Sequence, residues 1–101
     1  MKDEPKASKR FAPGSLVCKL AATYRPDEVL VRVDVLDPPT PAGFLVDREL
    51  VDPADFPATS EVDGRVRVLV LSVENGEALV EVPGEAISVG PRVLVSSRLV
   101  S

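Results

Sequence analysis

At 101 residues the chain has room for one domain with its own apolar core and not for two. It has no histidine, no tryptophan and one cysteine, so the commonest acid–base group and metal ligand is absent, and neither a disulfide framework nor a cysteine zinc site can form within it. The net charge of −4 is unevenly placed: residues 1–10 hold four cations against two acids, and residues 27–85 hold fourteen acids against four arginines, so the body repels phosphate at long range.

No apolar run reaches the roughly 20 residues of a membrane helix, and no hydrophobic segment follows the N-terminal charges as a secretory signal would require. With a single thiol, the expected place is the cytoplasm, or a particle assembled there, with no membrane contact. Valine and leucine dominate the apolar residues, while aromatics are 4%. Branched Cβ atoms suit the pleated surface of strands. Ten prolines and six glycines cut the chain into short segments with many turns.

Residues 1–12 are polar and without period, and are expected to be a disordered basic arm, a solubilising tail or a tether. Pro13-Gly14 marks a turn into a strand over 15–20, where Leu16, Cys18 and Leu20 share one face. Cys18 is read as a small buried hydrophobe, since no histidine could activate it. Residues 21–27 form a loop carrying Tyr24. Residues 28–36 alternate cleanly, with Val29, Val31, Val33 and Val35 on one side and Arg32 and Asp34 on the other, as a half-buried strand does.

Three prolines in residues 37–43 dictate a stiff extended connection. A third strand is expected over 44–50, with Phe44, Val46 and Leu50 on one face. Residues 52–63 then form a loop with a short helical turn at 53–56, and Asp63-Gly64 turns the chain.

The strongest signal is the hairpin over 65–82. Asn75-Gly76 tolerates the positive φ that a tight type I′ turn needs. With those two as the loop, Glu74 faces Glu77, Val73 faces Ala78, Ser72 faces Leu79, Leu71 faces Val80, Val70 faces Glu81 and Leu69 faces Val82. That register puts Leu69, Leu71, Val73, Ala78, Val80 and Val82 on the core face. Val66, Val68, Val70 and Leu79 fall on the other, too many apolar groups to leave in water as one patch. Either the strand bends so that its halves serve different sheets, or a partner covers that face. Pro83-Gly84 and Gly90-Pro91 turn the chain again around a bridge at 85–89, and 92–100 closes the fold, with Val93, Val95 and Leu99 sharing a face with Ser97.

About six short antiparallel strands, at 15–20, 28–36, 44–50, 65–73, 77–82 and 92–96, predict an all-β small barrel. The opening Pro-Gly-Ser-Leu-Val, the long loop before the hairpin and the short bridge before the last strand resemble the SH3-like small barrel. An OB-like barrel is the second choice. The aromatic ligand-binding surface of signalling SH3 domains is missing, so no functional residue carries over.

Functional candidates arise mostly by exclusion. No phosphate-binding glycine loop, dinucleotide fingerprint or nucleophile elbow occurs. The densest acidic cluster is Asp47, Glu49, Asp52 and Asp55, without the Asx and Gly spacing of a calcium loop. No catalytic residue, metal ligand or cofactor is expected. Arg65, Arg67, Arg92 and Arg98 could contact an anion or a partner, since guanidinium forks match carboxylates and phosphates. Val66, Val68, Val70 and Leu79 form the candidate apolar interaction face. The expected function is a non-catalytic protein-interaction or assembly module, homo-oligomeric or with another protein. The alternative is a nucleic-acid-binding accessory or regulatory protein using the basic arm and the arginines.

Overall fold

Alternation of branched apolar and polar residues folds this chain into strands throughout. A computed structural model describes residues 12–36, 39, 41–87 and 90–101. The arm expected over 1–12 lies outside the described residues except for Ala12, which opens the first strand. The strands are β1 (Ala12–Ala22), β2 (Glu28–Asp34), β3 (Pro41–Asp47), β4 (Val51–Asp52), β5 (Val62–Glu74), β6 (Glu77–Glu81), β7 (Glu85–Ala86) and β8 (Arg92–Ser96). Two 3-10 turns, Arg48–Leu50 and Ser97–Leu99, are the only helical elements among the described residues.

All pairs are antiparallel, in the order β7-β3-β2-β1-β5-β6-β8, with β4 also pairing β5. The sheet curls into a half-barrel. The segment just past β2 reaches β8, at one end of the strand order, where the Leu36 N–H donates to the Leu94 carbonyl at 2.8 Å. The C-terminal residues fold back onto β1: Ser15 and Ser101 exchange backbone hydrogen bonds at 2.9 and 3.0 Å, and Leu16 bridges Val100. No helix among the described residues is long and apolar enough to cross a membrane.

The inner face is wholly apolar. Leu16, Leu20, Val29, Val31, Val33, Phe44, Val66, Val80 and Val95 are completely buried, and no polar or charged side chain among the described residues joins them. Burying residues of this size gains roughly 1.5–3 kcal/mol each, and leaves no polar group whose lost hydration must be offset.

The expected hairpin forms, with Asn75 at φ 53° and Gly76 at φ 80°. Glu74–Glu77, Val73–Ala78 and Ser72–Leu79 pair as the turn dictates. Beyond them the register differs from the expectation. A β-bulge falls between Val70 and Ser72, so Val80 pairs with Val70 and Glu81 with Leu69, and the expected pairings Leu71–Val80, Val70–Glu81 and Leu69–Val82 are not made. One extra residue on β5 reverses side-chain parity across the bulge. The half of β5 before it therefore turns Val66 and Val68 inward and Arg65, Arg67 and Leu69 outward. Burial chose this outcome, because the regular ladder would have placed two arginines on the core face.

Other boundaries differ for related reasons. Pro13-Gly14 and Asp63-Gly64 are strand, not turn: Pro13 pairs Leu69, Gly14 pairs Val68 and Gly64 pairs Cys18. Gly64 serves close approach, since a Cβ there would lie 2.5 Å from Leu20 Cδ1 and 2.7 Å from the Asp52 carbonyl oxygen. The third strand stops at Asp47, and Arg48–Leu50 turns as a 3-10 helix to deliver Val51 to β5. No helical turn forms at 53–56. Residues 97–99 coil, so Ser97 and Leu99 do not continue the β8 face.

Candidate interaction cleft on the outer face of β5

The bulge decides what reaches the surface. Val66 is 0% and Val68 4% exposed, both within the core, so they are removed from the interaction face expected from the sequence. Val70 is half-buried and packs against that core. Of the four candidates, Leu79 stays half-buried on the outer face, where it pairs across the ladder with Leu94 of β8 and Ser72 of β5. Leu69 joins that outer face at 43% exposure, and Val73 near the hairpin tip is 61% exposed.

The four candidate arginines do not form one patch. Arg92, on β8, donates from Nε to the Glu81 carboxylate at 3.2 Å. Arg98 is exposed on the 3-10 turn Ser97–Leu99 and makes no ion pair among the described residues. Arg65 and Arg67 are brought together, one residue apart on the outer face of β5, roughly 7 Å between Cα atoms at strand rise. Arg65 Nη1 donates to the hydroxyls of Ser15 at 3.0 Å and Ser101 at 2.7 Å. Two neutral acceptors fix the guanidinium without neutralising it.

Most other cations on the described surface are paired. Arg25 meets Glu28, Arg32 meets Glu61 at 2.7 Å, and Lys19 meets Asp63, whose hydrogen bond raises the lysine's pKa. Arg48 lies over the Phe56 ring at 5.0 Å and donates to the carbonyls of Pro26 and Ala54. Arg65 and Arg67 share with Arg48 and Arg98 the lack of a salt bridge among the described residues, and are the two that lie side by side on one strand face.

β4 and the turn Arg48–Leu50 lie beside β5, and a cleft of about 400 Å³ opens there. Ser15, Glu49, Leu50, Asp52, Arg65 and Arg67 line it. Although Asp52 and Arg65 are partners in the ladder, no salt bridge joins them. A smaller, largely apolar hollow continues past Arg67, bounded by Pro13, Leu50, Val68, Leu69 and Pro83, with Glu81 at its edge. Leu50 and Arg67 border both parts.

The acidic cluster of Asp47, Glu49, Asp52 and Asp55 is spread over several elements. Asp47 ends β3, Glu49 is in the 3-10 turn and Asp52 is in β4, and no three such groups among the described residues converge as a metal site would require. Cys18 is 5% exposed and free, and burial pushes its thiol up to about 12, with Arg65 pulling weakly the other way. A thiol held protonated is a packing group and not a nucleophile.

Sequence reading missed Ser15, Leu50 and Leu69 as cleft residues, and Ser101 as a partner of Arg65. For Leu69 a signal existed, since it shares parity with Arg65 and Arg67, which belong outside. For Ser15 and Ser101 there was none, because their contact spans 86 positions. Comparison with known proteins finds no match: no family model fits the chain, and no curated protein or solved structure is similar to it.

Proposed function

We propose that this protein is a non-catalytic protein-interaction or assembly module that works in a reducing compartment such as the cytoplasm. The observation that carries the reading is the outer face of β5, β6 and β8, where Leu69, Leu79 and Leu94 gather leucine surface beside the Arg92–Glu81 pair. Apolar side chains ringed by charge are the anatomy of a protein contact. The composition supports it further, since a chain without histidine has little equipment for acid–base chemistry at neutral pH.

A second copy of the chain is the first partner to test. Light scattering on the full chain is expected to give a mass above one chain at high micromolar concentration, and Leu79→Glu to lower it. A monomer at every concentration, with no co-purifying protein, would count against the reading. The uncompensated Arg65 and Arg67 favour the second reading, a nucleic-acid-binding accessory. A salt titration of binding to duplex and single-stranded DNA separates the two, because phosphate contacts weaken steeply with salt.

A further inference from the structure

We infer that the cleft beside β5 takes an extended acidic segment of a protein partner, with one carboxylate on Arg67 and Arg65 and an apolar side chain two residues along in the hollow at Leu69. This rests on the protein-interaction reading above and names the chemistry of the partner.

Spacing is the first argument. Arg65, Arg67 and Leu69 project from the same face of β5 at alternate positions. An extended peptide also presents alternate side chains on one side, at the same interval of roughly 7 Å. A segment laid along the cleft therefore offers a carboxylate to Arg67 and, two residues on, an apolar group to the hollow between Leu50, Leu69 and Pro83.

Charge is the second. Arg65 keeps its full charge while its Nη1 is held by Ser15 and Ser101, so its remaining N–H groups are oriented before a ligand arrives. Arg67 has no ion pair among the described residues and stands where the polar and apolar parts of the cleft meet. A carboxylate there forms charge-assisted hydrogen bonds of the stronger kind.

The acids of the cleft select a peptide over a polyphosphate. Glu49 and Asp52 also line it, Asp52 as the ladder partner of Arg65. One carboxylate seated at Arg67, which has no acid opposite it in that ladder, adds a single negative charge, and a basic or amide group elsewhere on the peptide can face the two acids. A nucleic-acid strand would bring successive phosphates against both acids and against the acidic body.

The test uses the isotope-labelled full chain and short synthetic peptides of extended sequence. Amide resonances of Ser15, Leu50, Arg67 and Leu69 are expected to shift with a peptide containing Glu-Thr-Leu. Replacing the peptide's Glu by Gln, or its Leu by Ser, should weaken binding about tenfold or more, the loss of one good interaction. Arg67→Gln should reproduce the Glu-to-Gln loss, and Arg67→Lys should lose part of the binding, with unchanged spectral dispersion confirming the fold of each. Equal shifts from the Gln peptide, or no shifts at millimolar peptide, overturn the inference. So would oligo-dT, if it moves the same resonances more strongly than the peptide. If the peptides fail while light scattering still gives a mass above one chain, the cleft is refuted and the interaction reading survives; a monomer with no binding removes both.

Discussion

Gly84 lies in the exposed turn between β6 and β7, a place where substitution is ordinarily harmless. Two features make it otherwise. Its φ is 102°, which L side chains rarely adopt, and an added Cβ would collide with the Leu45 carbonyl oxygen and lie 2.8 Å from Val46 Cγ1. The strained dihedral costs about 1–3 kcal/mol, and the overlap with strand backbone costs about 1–3 kcal/mol more. Gly84→Ala is therefore expected to lose roughly 2–6 kcal/mol, a large part of the stability of a small domain, about 5–15 kcal/mol. At about 4–8 °C per kcal/mol the midpoint should fall by at least about 8 °C. Urea and thermal unfolding followed by circular dichroism measure both. Gly90→Ala is the control, since no described residue lies within 4 Å of its added Cβ and its φ is not left-handed. It should stay within about 1 kcal/mol of the parent, on the stable side. If Gly84→Ala unfolds together with Gly90→Ala, the close approach of this turn to β3 is wrong, and with it the pairing of β7 onto Leu45.

Gly64→Ala should cost about 1–3 kcal/mol by overpacking, and its amide spectrum should change at Val51 and Asp52, since the Asp52 carbonyl must move; an unchanged β4 would refute the contact. Val66→Ala is expected to lose about 2 kcal/mol and Leu69→Ala less than about 1 kcal/mol, because one is sealed and the other 43% exposed; the reverse ranking in urea unfolding would mean that β5 has no bulge. For Cys18 the folded thiol holds its proton up to about 12 against an ordinary value of 9.0. The unfolded chain thus releases a proton that the folded chain keeps, and stability falls as pH rises from about 9 toward 12. At a pH about one and a half units above the ordinary value the loss is about 2 kcal/mol, and Cys18→Val should shrink it; Lys19, raised by Asp63, changes stability in the same direction and remains in both proteins. A thiol reagent at mildly alkaline pH should react only after unfolding, and immediate native-state labelling would contradict the burial.

By itself the sequence determined the all-β class and the place of several strands. Alternating valines placed β2, the Asn75-Gly76 doublet placed the hairpin, and the parity of Leu16, Cys18 and Leu20 placed the inner face of β1. These rest on local chemistry, on branched side chains, turn dihedrals and a period of two, which a reader of residues can follow. The tertiary structure alone decided which face of β5 is core. A bulge adds no residue type of its own; it appears because burying Val66 and Val68 and solvating Arg65 and Arg67 outweighs one irregular step in the ladder. The same holds for Pro13-Gly14 and Asp63-Gly64, turn-formers drawn into strands by neighbours distant in sequence. The cleft depends on those distant neighbours most of all, since Ser15, Leu50, Arg67 and Ser101 meet only after the chain has closed on itself.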